Sequence, residues 1–161
     1  MVSHSHSHTH QNQKDIEKEK LLKERLDSIK YYETFINETL NVDLNKSIED
    51  REKVLENLEN YLELKSNIEL LIENKMDSMK TMINLGSECY VKARVQDTSY
   101  IYVDIGLGIH VKYTLEEAIK FINEKETFLN KTVENQTKKI NQIKTKIDLI
   151  QNGLKELKHL E

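Results

Sequence analysis

The sequence predicts a mainly α chain with a small β module: an antiparallel two-helix coiled coil carrying two β-hairpins at its bend. Three observations predict it. Apolar residues recur every three or four positions through two long stretches, as they do along amphipathic helices. Between those stretches the period drops to two, as in half-buried strands. The 161 residues include no Pro and no Trp, with 37% hydrophobic and 32% charged side chains. That composition suits long solvated helices better than a thick core, and it lacks the residue that most often breaks a helix.

Residues 1–13 read as a disordered His/Ser-rich tail with nothing to bury. His4, His6, His8 and His10 alternate with hydroxyl residues, so their imidazoles share one side of an extended chain, a weak candidate site for a divalent metal. Residues 14–161 read as one domain. Helix 1 is expected over 14–84, on a stripe that includes Leu22, Leu26, Ile29, Ile36, Leu40, Leu44, Ile48, Leu55, Leu58, Leu62, Ile68, Met76, Met79 and Ile83. From Ile36 to Ile48 the stripe advances by fours, which shifts it locally as a stutter does.

The β-hairpins are expected over 85–113. Cys89, Val91, Ala93 and Val95 alternate with polar or aromatic residues, as do Ile101, Val103 and Ile105, and Ile109 to Tyr113 adds another β-rich run. Gln96-Asp97-Thr98-Ser99 has turn chemistry, and Gly106 and Gly108 can take positive φ at little cost. Helix 2 is expected over 114–161, opened by a capping box of Thr114 and Glu117 and continued by a three-four rhythm from Leu115 to Leu157.

A net charge of -4 offers no basic stripe for phosphates, so no direct nucleic-acid binding is expected. No apolar run reaches the length of a membrane span, and no signal-peptide pattern opens the chain. With Cys89 as the only cysteine there is no internal disulfide, which favours a reducing compartment. Cys89, Asp104 and His110 are the only set that suggests nucleophilic catalysis, and a shallow β segment offers it no pocket. With no phosphate-cradling loop and no zinc-ligand pairing either, the chain reads as a non-enzyme without cofactors.

At about 1.5 Å per residue the two helices reach roughly 105 Å and 70 Å. Paired outward from the bend, the end of helix 2 should meet helix 1 near residues 36–40, leaving about 15–35 as an overhang. The short strands present open edges and an apolar face that their own chain does not cover, which marks them for assembly. Val91, Val95, Ile101, Val103, Ile105, Ile109 and Val111 are the expected assembly residues, because β-branched side chains fit a pleated, half-buried surface. Gly106 and Gly108 set the turn between the last two strands. At the open end, Ile147, Ile150, Leu154, Leu157 and Leu160 are expected opposite Ile36 and Leu40, forming tips that bind apolar surface without a sequence code.

The run from Asp97 to Gly108, continued by Thr114-Leu115-Glu116-Glu117-Ala118-Ile119, resembles the α-type subunits of the prefoldin family. Tyr32-Glu33-Thr34-Phe35-Ile36, Asp50-Arg51-Glu52-Lys53-Val54 and the closing Ile150, Gly153-Leu154 and Glu156-Leu157 extend the resemblance over roughly 30–160. It implies a subunit of a prefoldin-like co-chaperone complex that binds clients without ATP and helps to assemble protein complexes. It also implies a heterohexamer with URI-like α-type and β-type prefoldin subunits, a cytoplasmic and nuclear location, and a link to transcriptional co-regulation. Two other readings remain open: a coiled-coil adaptor or transcription scaffold without holdase activity, and a conventional prefoldin α subunit.

Overall fold

The computed structural model describes the backbone of residues 6–159 and the side chains of residues 13–159. In chain order it contains α1 (His6–Phe35), a π-helical turn (Ile36–Leu40), α2 (Asn41–Glu73), β1 (Met79–Gly86), β2 (Cys89–Val95), β3 (Tyr100–Asp104), β4 (His110–Thr114) and α3 (Leu115–His159). The expected class is what the chain adopts. β1 pairs with β2 and β3 with β4, each pair a separate antiparallel two-stranded sheet.

Two boundaries differ from expectation. Helix 1, expected to run to 84, stops at Glu73. Lys75 takes φ 47°, its N–H bonds the Ile72 carbonyl, and the Met76 N–H bonds the Leu71 carbonyl. This is a Schellman closure with lysine where glycine usually sits, so no sequence signal announced it. Met79 and Ile83 then fall with Thr81 on one face of β1, because positions four apart satisfy a period of two as well as a helical stripe. At the other end the helix already begins at His6, so residues 6–13 are helical and not an irregular tail. His4, Leu160 and the side chains of His6, His8 and His10 lie outside the described residues.

The chain forms two compact units, one comprising residues up to Asp50 together with Gln136 onward, the other Arg51–Asn135. In the first, the π-helical turn coincides with the four-residue spacing of the stripe, and the Asn41 N–H reaches back to the Ile36 carbonyl. A step of four overshoots the 3.6-residue repeat by about 40°. The wider π turn takes that rotation back, which keeps Ile36 and Leu40 in the seam. They pack with Ile143, Ile147 and Leu154, flanked by Ile29, Phe35, Leu44 and Ile150. Farther along, Ser47 is buried and Ile48 only half-buried. The antiparallel pairing is closed by Lys158 on Glu33 at 2.7 Å and by the Arg25 guanidinium donating to the Leu157 carbonyl. The overhang therefore starts before Arg25, nearer the N-terminus than expected, since helix 1 stops earlier at its other end.

In the second unit the core is Ile68, Val103, Ala118 and Ile122, with Tyr61, Leu64, Ile101, Tyr113, Leu115, Ile119 and Phe121 packed around it. Ala118 and Ile122 are both fully buried. An alanine at this position leaves room for β3 to approach α3, and Val103 fills that space. Phe121 stacks on Tyr113 at 5.5 Å and meets Tyr61 edge-on at 6.2 Å. Burial, with a smaller contribution from Asp104, pushes the Tyr61 phenol up. Lys65 pairs with Glu126 at 3.3 Å across the helices. The capping box forms as the sequence implied: the Thr114 N–H donates to Glu117 Oε2 at 2.9 Å, and the Glu117 N–H donates to Thr114 Oγ1 at 3.2 Å.

Candidate functional site

The β1–β2 hairpin is poorly covered by its own chain. Met79, Thr81 and Ile83 of β1 lie opposite Val95, Ala93 and Val91 of β2, which puts the apolar side chains on one face. None of them belongs to either buried cluster. Ile83 is 52% exposed and Val91 44%, and the neighbouring Met82, Leu85 and Tyr90 are exposed as well. Its connecting turn is strained: Ser87 and Glu88 both take positive φ, 48° and 60°, the backbone of a type I′ turn that asparagine and glycine fit more easily. A free hairpin of this size is marginal in water, so the exposed face has to be covered for these strands to be secure.

The β3–β4 hairpin differs because one of its faces is already used. Val103 is 3% exposed against Ala118 and Ile122. It anchors the hairpin within the chain and is not open to a second polypeptide, a correction to its expected assembly role. Ile101, Ile105 and Val111 are half-buried, whereas Val95 and Ile109 are exposed with Val91. Gly106 at φ 115° and Gly108 at φ 72° bracket Leu107, itself at φ 55° and wholly exposed. Asp104 accepts the Gly106 N–H at 2.8 Å, and the Ile105 N–H closes onto the Ile109 carbonyl at 2.9 Å. The two glycines thus sit where a Cβ would strain the backbone. Thr98 ties the segment between the hairpins to the exit of α2, its hydroxyl bonding the Met76 carbonyl and its N–H the Asp77 carbonyl at 3.3 Å.

At the helix end, Ile36, Leu40, Ile147 and Leu154 form the seam itself and are buried, and Ile150 and Leu157 are half-buried. The expected tip residues are therefore occupied by one another, because positions on a three-four stripe interdigitate before they can face outward. The exposed apolar side chains here are others: Tyr31 at 65%, Tyr32 at 42% and Leu149 at 73%. Tyr32, Leu149, Ile150, Gly153, Leu154 and Leu157 line a groove of about 450 Å³, and nothing stands within 4 Å of where a Gly153 Cβ would be. Tyr31 and Tyr32 sit beside the stripe, so a period search passes over them.

The titratable set does not converge. Cys89 opens β2, whereas Asp104 and His110 are cross-strand partners in the other hairpin. Asp104 is engaged by the Gly106 amide, and His110 Nδ1 lies 3.2 Å from the Gly108 carbonyl. Among the described residues no group of three His, Cys, Asp or Glu side chains could hold a metal, and no helix is long and apolar enough to cross a membrane.

Residues 40–159 match the family described as prefoldin subunit. Protein UXT of Homo sapiens is 41% identical over 130 residues, which cover 81% of this chain and 83% of that protein. Protein UXT of Bos taurus is 37% identical over 89% of this chain and 92% of its own length, and the UXT homolog of Nematostella vectensis is 31% identical over 83% and 86%. A filamentous PFD from Methanocaldococcus jannaschii, solved by cryo-EM, superposes with a TM-score of 0.53 at 21% identity, covering 70% of this chain and 97% of that one. At that identity the likeness is one of fold.

Proposed function

Because the chain belongs to the prefoldin subunit family, we propose that it is the α-type, UXT-like subunit of a hetero-oligomeric co-chaperone, acting by holding and positioning other proteins without ATP. The observation that carries this reading is the β1–β2 hairpin, whose apolar face lies outside the two buried clusters formed by the described residues. Pairing its open edges with strands of sister subunits, a URI-like α-type and β-type prefoldin subunits in a heterohexamer, would bury that face and satisfy the edges in one step. In this reading Val91, Val95, Ile83 and Ile109 meet the sister chains, while Gly106 and Gly108 shape the second hairpin.

Clients are held at the helix end, on Tyr31, Tyr32 and Leu149 and in the groove beside Gly153, by apolar contact that tolerates varied sequence. The reading assigns no catalytic step and no cofactor to the chain, and places it in cytoplasm and nucleus. Two measurements test it. Native mass spectrometry of the complex isolated from cells should show sister subunits in fixed stoichiometry, lost when Ile83→Asp is combined with Val91→Asp. Suppression of aggregation of a denatured protein should drop when Tyr32→Ser is combined with Leu149→Ser. A stable monomer in cells would overturn the assembly reading, and unchanged suppression would overturn the client site.

A second reading is favoured by the exposed Leu21, Leu22 and Leu26 of α1: an adaptor that lays this stripe on one folded partner, including a transcription complex. A pull-down that survives the Tyr32 and Leu149 substitutions but fails with Leu22→Ser and Leu26→Ser would favour it.

A further inference from the structure

The opposite face of the β1–β2 hairpin has a different chemistry from the apolar one. Lys80 lies directly across from Arg94, and Met82 directly across from Lys92. All four side chains are exposed, and they contribute to the lining of a depression of about 620 Å³. Neither β1 nor β2 contains a carboxylate. Among the described residues no acidic side chain pairs with Lys80, Lys92 or Arg94.

The helices, by contrast, interleave their basic residues with carboxylates, and in places the two meet. Lys65 has Glu126, Lys158 has Glu33, and Lys112 of the second hairpin sits 3.9 Å over the Tyr100 ring. Like charges directly opposite one another weaken a strand pair. A strained, exposed hairpin that nevertheless carries such a pair is suited to an anion supplied from outside the chain.

We infer that the Lys80–Lys92–Arg94 face docks an acidic, extended segment of a partner protein. Lys92 and Arg94 stand two residues apart on one strand, a repeat of about 6.6 Å. An extended peptide with carboxylates at alternate positions has the same repeat, so each carboxylate can meet a cation in register. The exposed Met82 and Tyr90 beside them offer apolar contact to the side chains in between. A nucleic acid fits less well, since three cations neutralise few phosphates of a long backbone. The inference rests on the assembly reading in one respect: sister subunits take the apolar face and leave this one open.

The test uses the complex isolated from cells through the full chain. Its probe is a fluorescein-labelled dodecapeptide alternating Glu with Val, read by anisotropy. Binding is expected to weaken with added NaCl, and to fall at least tenfold when Gln replaces Glu in the peptide or when Lys80→Gln, Lys92→Gln and Arg94→Gln are combined. The native mass spectrum of that triple variant is expected to keep the subunits of the wild type. Equal binding of the Glu and Gln peptides would overturn the inference, as would tighter binding of a 20-nucleotide oligouridine than of the peptide. Loss of sister subunits from the triple variant would also overturn it, because the face would then belong to the assembly. Failure of the assembly reading itself would appear separately, as sister subunits retained after Ile83→Asp and Val91→Asp.

Discussion

Replacing Ile122 by alanine should be among the most damaging single truncations in the second unit. The side chain is fully buried among Ile68, Val103 and Ala118, residues of α2, β3 and α3. Truncation removes three carbons, at about 0.8 kcal/mol each for the loss of apolar burial. The cavity adds to this, because helices and a strand that meet in one place collapse only partly, and the total is about 4 kcal/mol. Urea unfolding followed by helical circular dichroism would measure it, with an unchanged m-value as the sign that the comparison is sound. Hydrogen exchange should show the loss concentrated in β3, since Val103 rests on this side chain, with less change in β1 and β2. A loss below about 1 kcal/mol, or equal loss of protection in both hairpins, would refute the view that this cluster is what fastens β3–β4 to the helices.

Three further outcomes are expected. Lys75→Gly should stabilise the chain by about 1 kcal/mol, measurable in the same titration, because the Schellman position at φ 47° is one that glycine takes freely. Gly153→Ala should add roughly 0.5–1 kcal/mol by helix propensity, since a Cβ there meets open space; if the groove beside it holds clients, suppression of aggregation should fall as stability rises. Acid should loosen the start of α3. The Glu117 carboxyl is held below the usual glutamate range by the Thr114 backbone N–H and then by its side chain, so its contribution is present above the ordinary glutamate pKa and lost as pH falls through the lowered folded value. Glu117→Gln keeps the cap and removes this titration, and comparing exchange at the first turn of α3 for the two proteins between neutral and acidic pH would detect the difference.

Much of this architecture was legible in the residues themselves. The heptad of α3, its Thr114–Glu117 cap, the alternation in β2 and β3 and the glycine turn at Gly106 and Gly108 are all local patterns, written in period and in backbone preference, and neighbours in sequence suffice to set them. The stripe spacing at Ile36 and Leu40 even marked where the helix had to change its winding. The run from Asp97 to Gly108 carried a resemblance to the prefoldin family, and the family match over residues 40–159 shows the membership.

What the tertiary structure decided was where local preference is ambiguous or overruled. Lys75 ends a helix in a conformation that its residue type does not advertise, so β1 stayed hidden inside a stripe that Met79 and Ile83 satisfied in either geometry. Ser47 is buried while the more apolar Ile48 is only half so, and Val103 faces inward while Val91 and Ile109 do not. Which side of an element is covered depends on what arrives from distant parts of the chain, and a periodic pattern can name the two sides of a strand without saying which of them another polypeptide will reach.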